Sequence, residues 1–322
     1  MVFWRKKARQ PPVVTCYGKL PATGDFIRHQ ASGPESAAFD QWLGTSVHRA
    51  REAMGASFAE HYQPAAGLFV YRGDDGTGDE PERGLIGAWA SSGDSAGRKY
   101  PMVVATSYDY DDMLAMGAAL PLATWPFLQA AYGLVHNGRG LSVADFLGRV
   151  QALQPVSLDP PEARRAPYQQ WQAGQSMHAM WETTFGSGAM RCATVYDVQA
   201  AVEFAVGQER PQTALAMRFP ILAGDTYAAS VWMDLVLRLG RWERTVLNAF
   251  WTPLHDLVVH IGPPQPGTFQ ELIATGGDAE QVTDLVKPSH VPEAEARTRL
   301  GPLAAVVDDT QQSIAGFMQR LG

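Results

Sequence analysis

The sequence predicts a mixed α+β fold within the broad α/β class: a largely antiparallel sheet flanked by helices, followed by a second α/β domain. Three observations carry this expectation. β-rich runs at 67–71, 85–89 and 102–108 follow one another in hairpin-like succession instead of alternating one for one with helices. Between Pro34 and Met54, the residues Phe39, Trp42, Leu43, Val47, Ala50 and Met54 recur at spacings of three and four, which is one face of a helix. At 322 residues the chain exceeds one small core, and Gln154 to Pro167 contains four prolines. Units at 12–153 and 168–322, joined by a proline-rich linker at 154–167 with no regular element, are therefore expected.

Taken in order, Tyr17 to Arg28 sets apolar anchors (Tyr17, Leu20, Phe26, Ile27) among Gly18, Gly24 and Pro21. That composition reads as a strand edge running into a tight, exposed turn that presents Lys19, Asp25 and Arg28. The helix of residues 34–54 follows, then the three strands. The polar insert from Gly73 to Glu82 lacks the alternating ligands and terminal Glu of a calcium loop, so it reads as a solvated hairpin loop. Pro121 to Val135 is broadly helical, and Ser142 caps a helix whose apolar face is Val143, Phe146, Leu147, Val150 and Leu153, with Asp145 three residues after the cap.

In the second half, Arg191 to Val198 and Ala214 to Leu222 read as strands. Asp225 caps a helix ended by Gly240, 247–251 and 256–261 are extended, and Pro302 to Leu321 is a C-terminal helix. Phe219-Pro220-Ile221-Leu222 echoes Tyr100-Pro101-Met102-Val103, a weak trace of duplication.

A 46% hydrophobic and 18% charged composition is ordinary for a globular chain, and a net charge of −7 argues against nucleic acid or an anionic membrane surface as the main partner. Cys16 and Cys192, the two cysteines, read as reduced thiols of a cytoplasmic protein. Met1 to Arg9 has charges but no apolar run of signal length before Gln10-Pro11-Pro12, so it reads as a basic arm and not an export signal. No window offers the roughly 20 apolar residues of a membrane span.

The catalytic templates fail on context. Gly93-Asp94-Ser95-Ala96-Gly97 has the spacing of a nucleophile elbow, which needs a strand before it and a helix after it. The run after Gly97 is another strand, so Ser95 is expected in a hairpin turn; a serine hydrolase built on Ser95 is the competing reading. The eight histidines form no zinc motif, and His255 and His260, five apart, do not share a helix face. Gly18-Lys19 is no phosphate loop and Gly138-Arg139-Gly140 is a turn, so neither metal nor cofactor is expected. Of nine tryptophans, most should be core and one or two left at the surface would be interface anchors.

The order of glycine turn and aromatic helix resembles the TagF (ImpM) family of type VI secretion accessory proteins. Its aromatic-Gly-Lys-Leu-Pro-x-x-Gly-Asp-Phe signature is matched by Tyr17, Gly18, Lys19, Leu20, Pro21, Gly24, Asp25 and Phe26, and its aromatic and Trp-Leu pair by Phe39, Trp42 and Leu43. A second block is matched by Gly97, Arg98, Tyr100, Pro101, Met102 and Val103. The resemblance covers roughly residues 14 to 150 well and the rest loosely. It implies a non-catalytic cytoplasmic regulator that restrains assembly of the secretion apparatus after translation, with the system's forkhead-associated scaffold protein as its partner. A structural subunit of the apparatus is a further alternative. Two readings of the turn stay open: Asp25 bonds the turn and pairs with Arg28, or Lys19 and Arg28 face an acidic or phosphorylated surface of the partner.

Overall fold

The computed structural model describes residues 10–321 except 64, 74–81, 209–210, 212–213, 223–224, 253–255 and 275–281. The basic arm at Met1 to Arg9, most of the 73–82 insert, and His255 lie outside the described residues.

The first half contributes β1 (Val13–Lys19), β2 (Phe26–His29), α1 (Pro34–Met54), α2 (Phe58–Tyr62), β3 (Ala66–Tyr71), β4 (Arg83–Ala90), β5 (Met102–Asp109), α3 (Tyr110–Met116), α4 (Leu120–Ala123), α5 (Trp125–Asn137) and α6 (Val143–Ala152). Local chemistry explains most of these elements. α1 starts on Pro34, buries Phe39, Leu43, Val47 and Ala50, and stops at Gly55 with φ 54°. Ser142 Oγ accepts from the Asp145 amide at 3.1 Å and donates to its carboxylate at 2.7 Å, capping α6. The helix expected over 121–135 breaks at Thr124, because Pro126, in the first turn of α5, has no N–H for the preceding turn.

The second half contributes α7 (Pro161–Gly174), α8 (Met177–Phe185), α9 (Arg191–Val202), β6 (Leu215–Pro220), α10 (Ala228–Gly240), β7 (Asn248–Trp251), β8 (Asp256–Ile261), α11 (Thr268–Ile273), β9 (Val282–Asp284), α12 (Glu293–Leu300), α13 (Pro302–Asp308) and α14 (Ile314–Leu321). Three expectations are corrected here. Residues 154–167 are irregular only through Pro160: Pro161 starts α7, where a missing N–H costs nothing, and Pro167 is carried inside a helix that buries Tyr168 and Gln172. Residues 191–198 are helical. α9 buries Cys192, Ala193, Thr194, Val195, Val198 and Val202, so no amphipathic period survives, and its first amides donate to Glu293, at 3.0 Å from both Cys192 and Ala193. The C-terminal helix is two helices separated by Asp309 to Ser313. The sequence echo has no structural counterpart either, since Tyr100-Pro101 precedes β5 whereas Phe219-Pro220 ends β6.

All nine described strands form one sheet, in the order β2-β1-β5-β4-β3-β7-β8-β6-β9, antiparallel except for the parallel β6–β9 pair. β9 is tied on by an ion pair: buried Arg218 of β6 donates from Nε to Asp284 Oδ1 at 3.1 Å. Strand residues alternate between two cores. Leu68, Val70, Ile86, Ala88 and Val104 face the helical layer that includes α5, α9 and α10, while Phe69, Tyr71, Leu85, Trp89 and Val103 face α1, α2 and α11. β3 pairs with β7, Phe69 opposite Phe250, so strands from both sides of the proline-rich stretch share the sheet. Phe39 of α1 stacks on Phe69 at 4.3 Å and Trp42 on Phe250 at 4.7 Å, bridging that seam.

Among the described residues no single helix is long and apolar enough to cross a membrane. The bent pair Tyr110–Ala123 and Trp125–Gly140 meets that test on composition, but its α5 packs on β3, β4 and β5.

Ending the chain at residue 155 removes β7 and leaves the apolar β3 edge unpaired. Such a fragment is expected to self-associate or precipitate where the full chain elutes cleanly in size-exclusion chromatography; a well-dispersed, folded fragment would contradict this.

Candidate functional site

At the β2 end of the sheet, the turn between β1 and β2 is fastened to the connection between β4 and β5. Gly18 has φ +135°, and a Cβ there would lie 2.1 Å from the Pro101 carbonyl oxygen, so only glycine lets the two segments touch. Asp94 makes the fastening. Its Oδ1 accepts from the amides of Ala96 at 3.0 Å and Arg98 at 2.9 Å; its Oδ2 accepts from Lys19 Nζ and from Arg98 Nε at 2.6 Å. Arg98 Nη2 reaches on to the Gly24 carbonyl at 2.6 Å, and the Ser95 amide donates to the Thr23 carbonyl at 2.9 Å. Asp94 is 6% exposed, yet the Lys19 hydrogen bond, with the Arg98 donors, outweighs burial and holds its carboxyl well below the usual carboxylate range.

Beside this lock, Arg28 projects from β2. Its Nη2 pairs with Asp40 of α1 at 2.6 Å, its Nη1 donates to the Ala31 carbonyl at 2.9 Å, and its guanidinium lies over the rings of Tyr17 and Phe26. The Tyr100 hydroxyl donates to Asp40, and its ring meets Phe26 edge-on at 5.3 Å. Burial pushes the Tyr17 and Tyr100 phenols up, so both stay protonated. Phe26, Arg28, Asp40 and Tyr100 line a shallow hollow of about 410 Å³, with Phe26 39% exposed.

The three residues expected in the turn thus part company. Lys19 points inward with its side chain 13% exposed and its charge taken by Asp94. Arg28 pairs with Asp40 and not with Asp25, because β2 turns its side chain toward α1. Asp25 is exposed, and its carboxylate has no hydrogen bond or ion pair among the described residues. Sequence reasoning missed Asp94 by looking only at Ser95, although an Asp three residues before a glycine in a turn was the available signal.

Ser95 is exposed in a turn closed by Gly97 with φ +81°, and the next element is β5. Among the described residues, no cluster of three or more potential metal ligands occurs. His260 is buried in β8 against Thr268, and burial pushes its imidazole down to about 3. Cys16 and Cys192 are buried free thiols. No described tryptophan is exposed: Trp89, Trp181, Trp232, Trp242 and Trp251 are buried and Trp42, Trp125 and Trp171 half-buried. The surface aromatic here is Phe26 instead.

Both quoted sequence blocks therefore meet in one place. Residues 15–153 match the TagF N-terminal domain, described as type VI secretion system-associated. The match covers the N-terminal part of the chain and ends at residue 153. Among solved structures, the crystal structure of PA0076 from Pseudomonas aeruginosa PAO1 is similar at 14% identity, covering 83% of this chain and 96% of that one, with a TM-score of 0.49. No curated protein matches the chain.

Gly18→Ala is expected to destabilise by more than ~3 kcal/mol, because positive φ and a backbone clash act together; urea unfolding checks it, and a loss below ~1 kcal/mol would contradict the close approach. Asp94→Asn is expected to lower the Tm by several degrees at pH 7. A depressed carboxyl stabilises above its unfolded pKa of about 3.9 and loses that contribution as pH falls through and below it, so the gap between wild type and variant should narrow toward pH 3. A gap independent of pH would show that the charge of Asp94 does not matter.

Proposed function

We propose that this protein is a non-catalytic regulator of the type VI secretion system, acting in the cytoplasm after translation to restrain assembly by binding the system's forkhead-associated scaffold protein. The observation that carries this reading is the lock itself: the family signature spends Gly18, Lys19 and Arg98 on holding two loops together and leaves Phe26 and Arg28 at the surface beside a hollow. That is how a rigid binding face is built, an aromatic and an arginine being the residue types that dominate binding energy. A non-catalytic role is supported at Ser95, whose turn leads into a strand and whose hydroxyl has no hydrogen bond among the described residues. Nucleophile elbows need the helix that is missing there.

The test separates the two basic residues. Arg28→Glu is expected to abolish co-purification with the scaffold protein while the Tm moves little, because an exposed ion pair is worth about 0–1 kcal/mol. Lys19→Glu places a second carboxylate against buried Asp94 and is expected to lower the Tm strongly, with binding lost only as folded protein is lost. Undiminished binding by a well-folded Arg28→Glu protein would remove this face from the interface.

A further inference from the structure

A second, wider cleft lies where Met116 to Ala119 of the first half meets α7, α14 and the C-terminal end of α10; its volume is about 800 Å³, within the range of about 300–1,000 Å³ typical of small-molecule sites. Its charges do not balance internally. Asp234 is fully engaged: Oδ1 accepts from Arg238 Nε at 2.8 Å, and Oδ2 from Gln172 Nε2 at 2.8 Å and the Tyr168 hydroxyl at 3.3 Å. Arg165 and Arg241 also line the cleft, and neither has a hydrogen bond or ion pair from its side chain among the described residues. Arg165 Nε is buried without an acceptor among the described residues. Arg241 occupies the left-handed position after α10, φ 53°, where glycine or asparagine is the usual residue. A cation there complements the helix C-terminus, but Arg165 belongs to a different helix and has no such role. Glu243, exposed, is the one other carboxylate lining the cleft.

Two unmatched guanidiniums facing one cleft in a chain of net charge −7 are a local reversal of sign. Guanidinium forks match tetrahedral oxyanions, and two of them match a dianion. We propose that this cleft binds a phosphate group, free or carried on a small organic molecule, through Arg165 and Arg241, with Gln169 and the apolar wall of Met116, Trp242 and Met318 around it. The site lies at the junction of the chain's halves, so its ligand would brace α7 against α10.

The experiment is calorimetric titration of the full chain with inorganic phosphate and with glycerol 3-phosphate at fixed ionic strength, balanced with chloride. Saturable binding is expected, weakened at least tenfold in Arg165→Gln/Arg241→Gln and unchanged in Arg149→Gln, a change at an exposed position of α6 outside the cleft. Tighter binding of the ester assigns an esterified ligand, and tighter binding of inorganic phosphate assigns the free ion. The double variant should melt with the wild type, since neither guanidinium has a protein partner; if it does not, Arg241→Gln alone, at an exposed position, carries the test with a several-fold loss expected. Absence of saturable binding by both probes, or equal affinity in a folded variant, would overturn the proposal.

Discussion

The pairing of β3 with β7 is the constraint on which the rest depends. It joins five strands of the first half to four of the second, and α1 lies across it. Phe39 stacks on Phe69 and Trp42 on Phe250, while Trp42 Nε1 donates to the Gln265 carbonyl at 3.2 Å, so one helix grips both sides. Aromatic pairs of this kind add about 0.5–1.5 kcal/mol each beyond the area they bury, and they form only when the strands beneath are in register. The same helix supplies Asp40 on its outer surface. The register of the sheet and the position of the candidate face are therefore fixed by one element.

What was legible in the sequence follows the range of the interactions. α1 and α6 were readable because their signals, a stripe at three and four spacing and a Ser142–Asp145 cap, lie within a few turns. The hairpin strands were readable because a strand in an antiparallel sheet declares itself over five or six residues. α9 was not, since its apolar surround is assembled from α10, α12 and α13, and the Glu293 carboxylate that caps it comes from about a hundred residues away. α7 is hidden in a proline-rich stretch because proline both breaks and begins helices: Pro161 opens this one, at a position where proline is favoured.

The candidate site was legible in outline and misread in detail for the same reason. Residues 17–28 and 93–103 were both singled out, but nothing local said that Lys19 would spend its charge on Asp94, 75 positions away. Nor could a local reading see Asp40 standing closer to Arg28 than Asp25 does. At this face the exposed aromatic is Phe26 and not a tryptophan, because the eight described indoles are covered in the two cores or at their margins.

The two ion pairs at this face differ in what a partner can do with them. Lys19 and Asp94 are enclosed, and Asp94 is held by Arg98 and by backbone amides as well, so pulling the pair apart leaves the Lys19 ammonium without its carboxylate where water cannot readily replace it. Arg28 is 44% exposed at its side chain and Asp40 22%, where solvent already weakens their attraction. A carboxylate or phosphate on a docking surface can therefore take the outer edge of the Arg28 guanidinium at little cost, with Asp40 still held by the Tyr100 hydroxyl and the ring of Phe26 beneath the guanidinium to orient it. The inner pair keeps the loops rigid so that the outer pair can be shared.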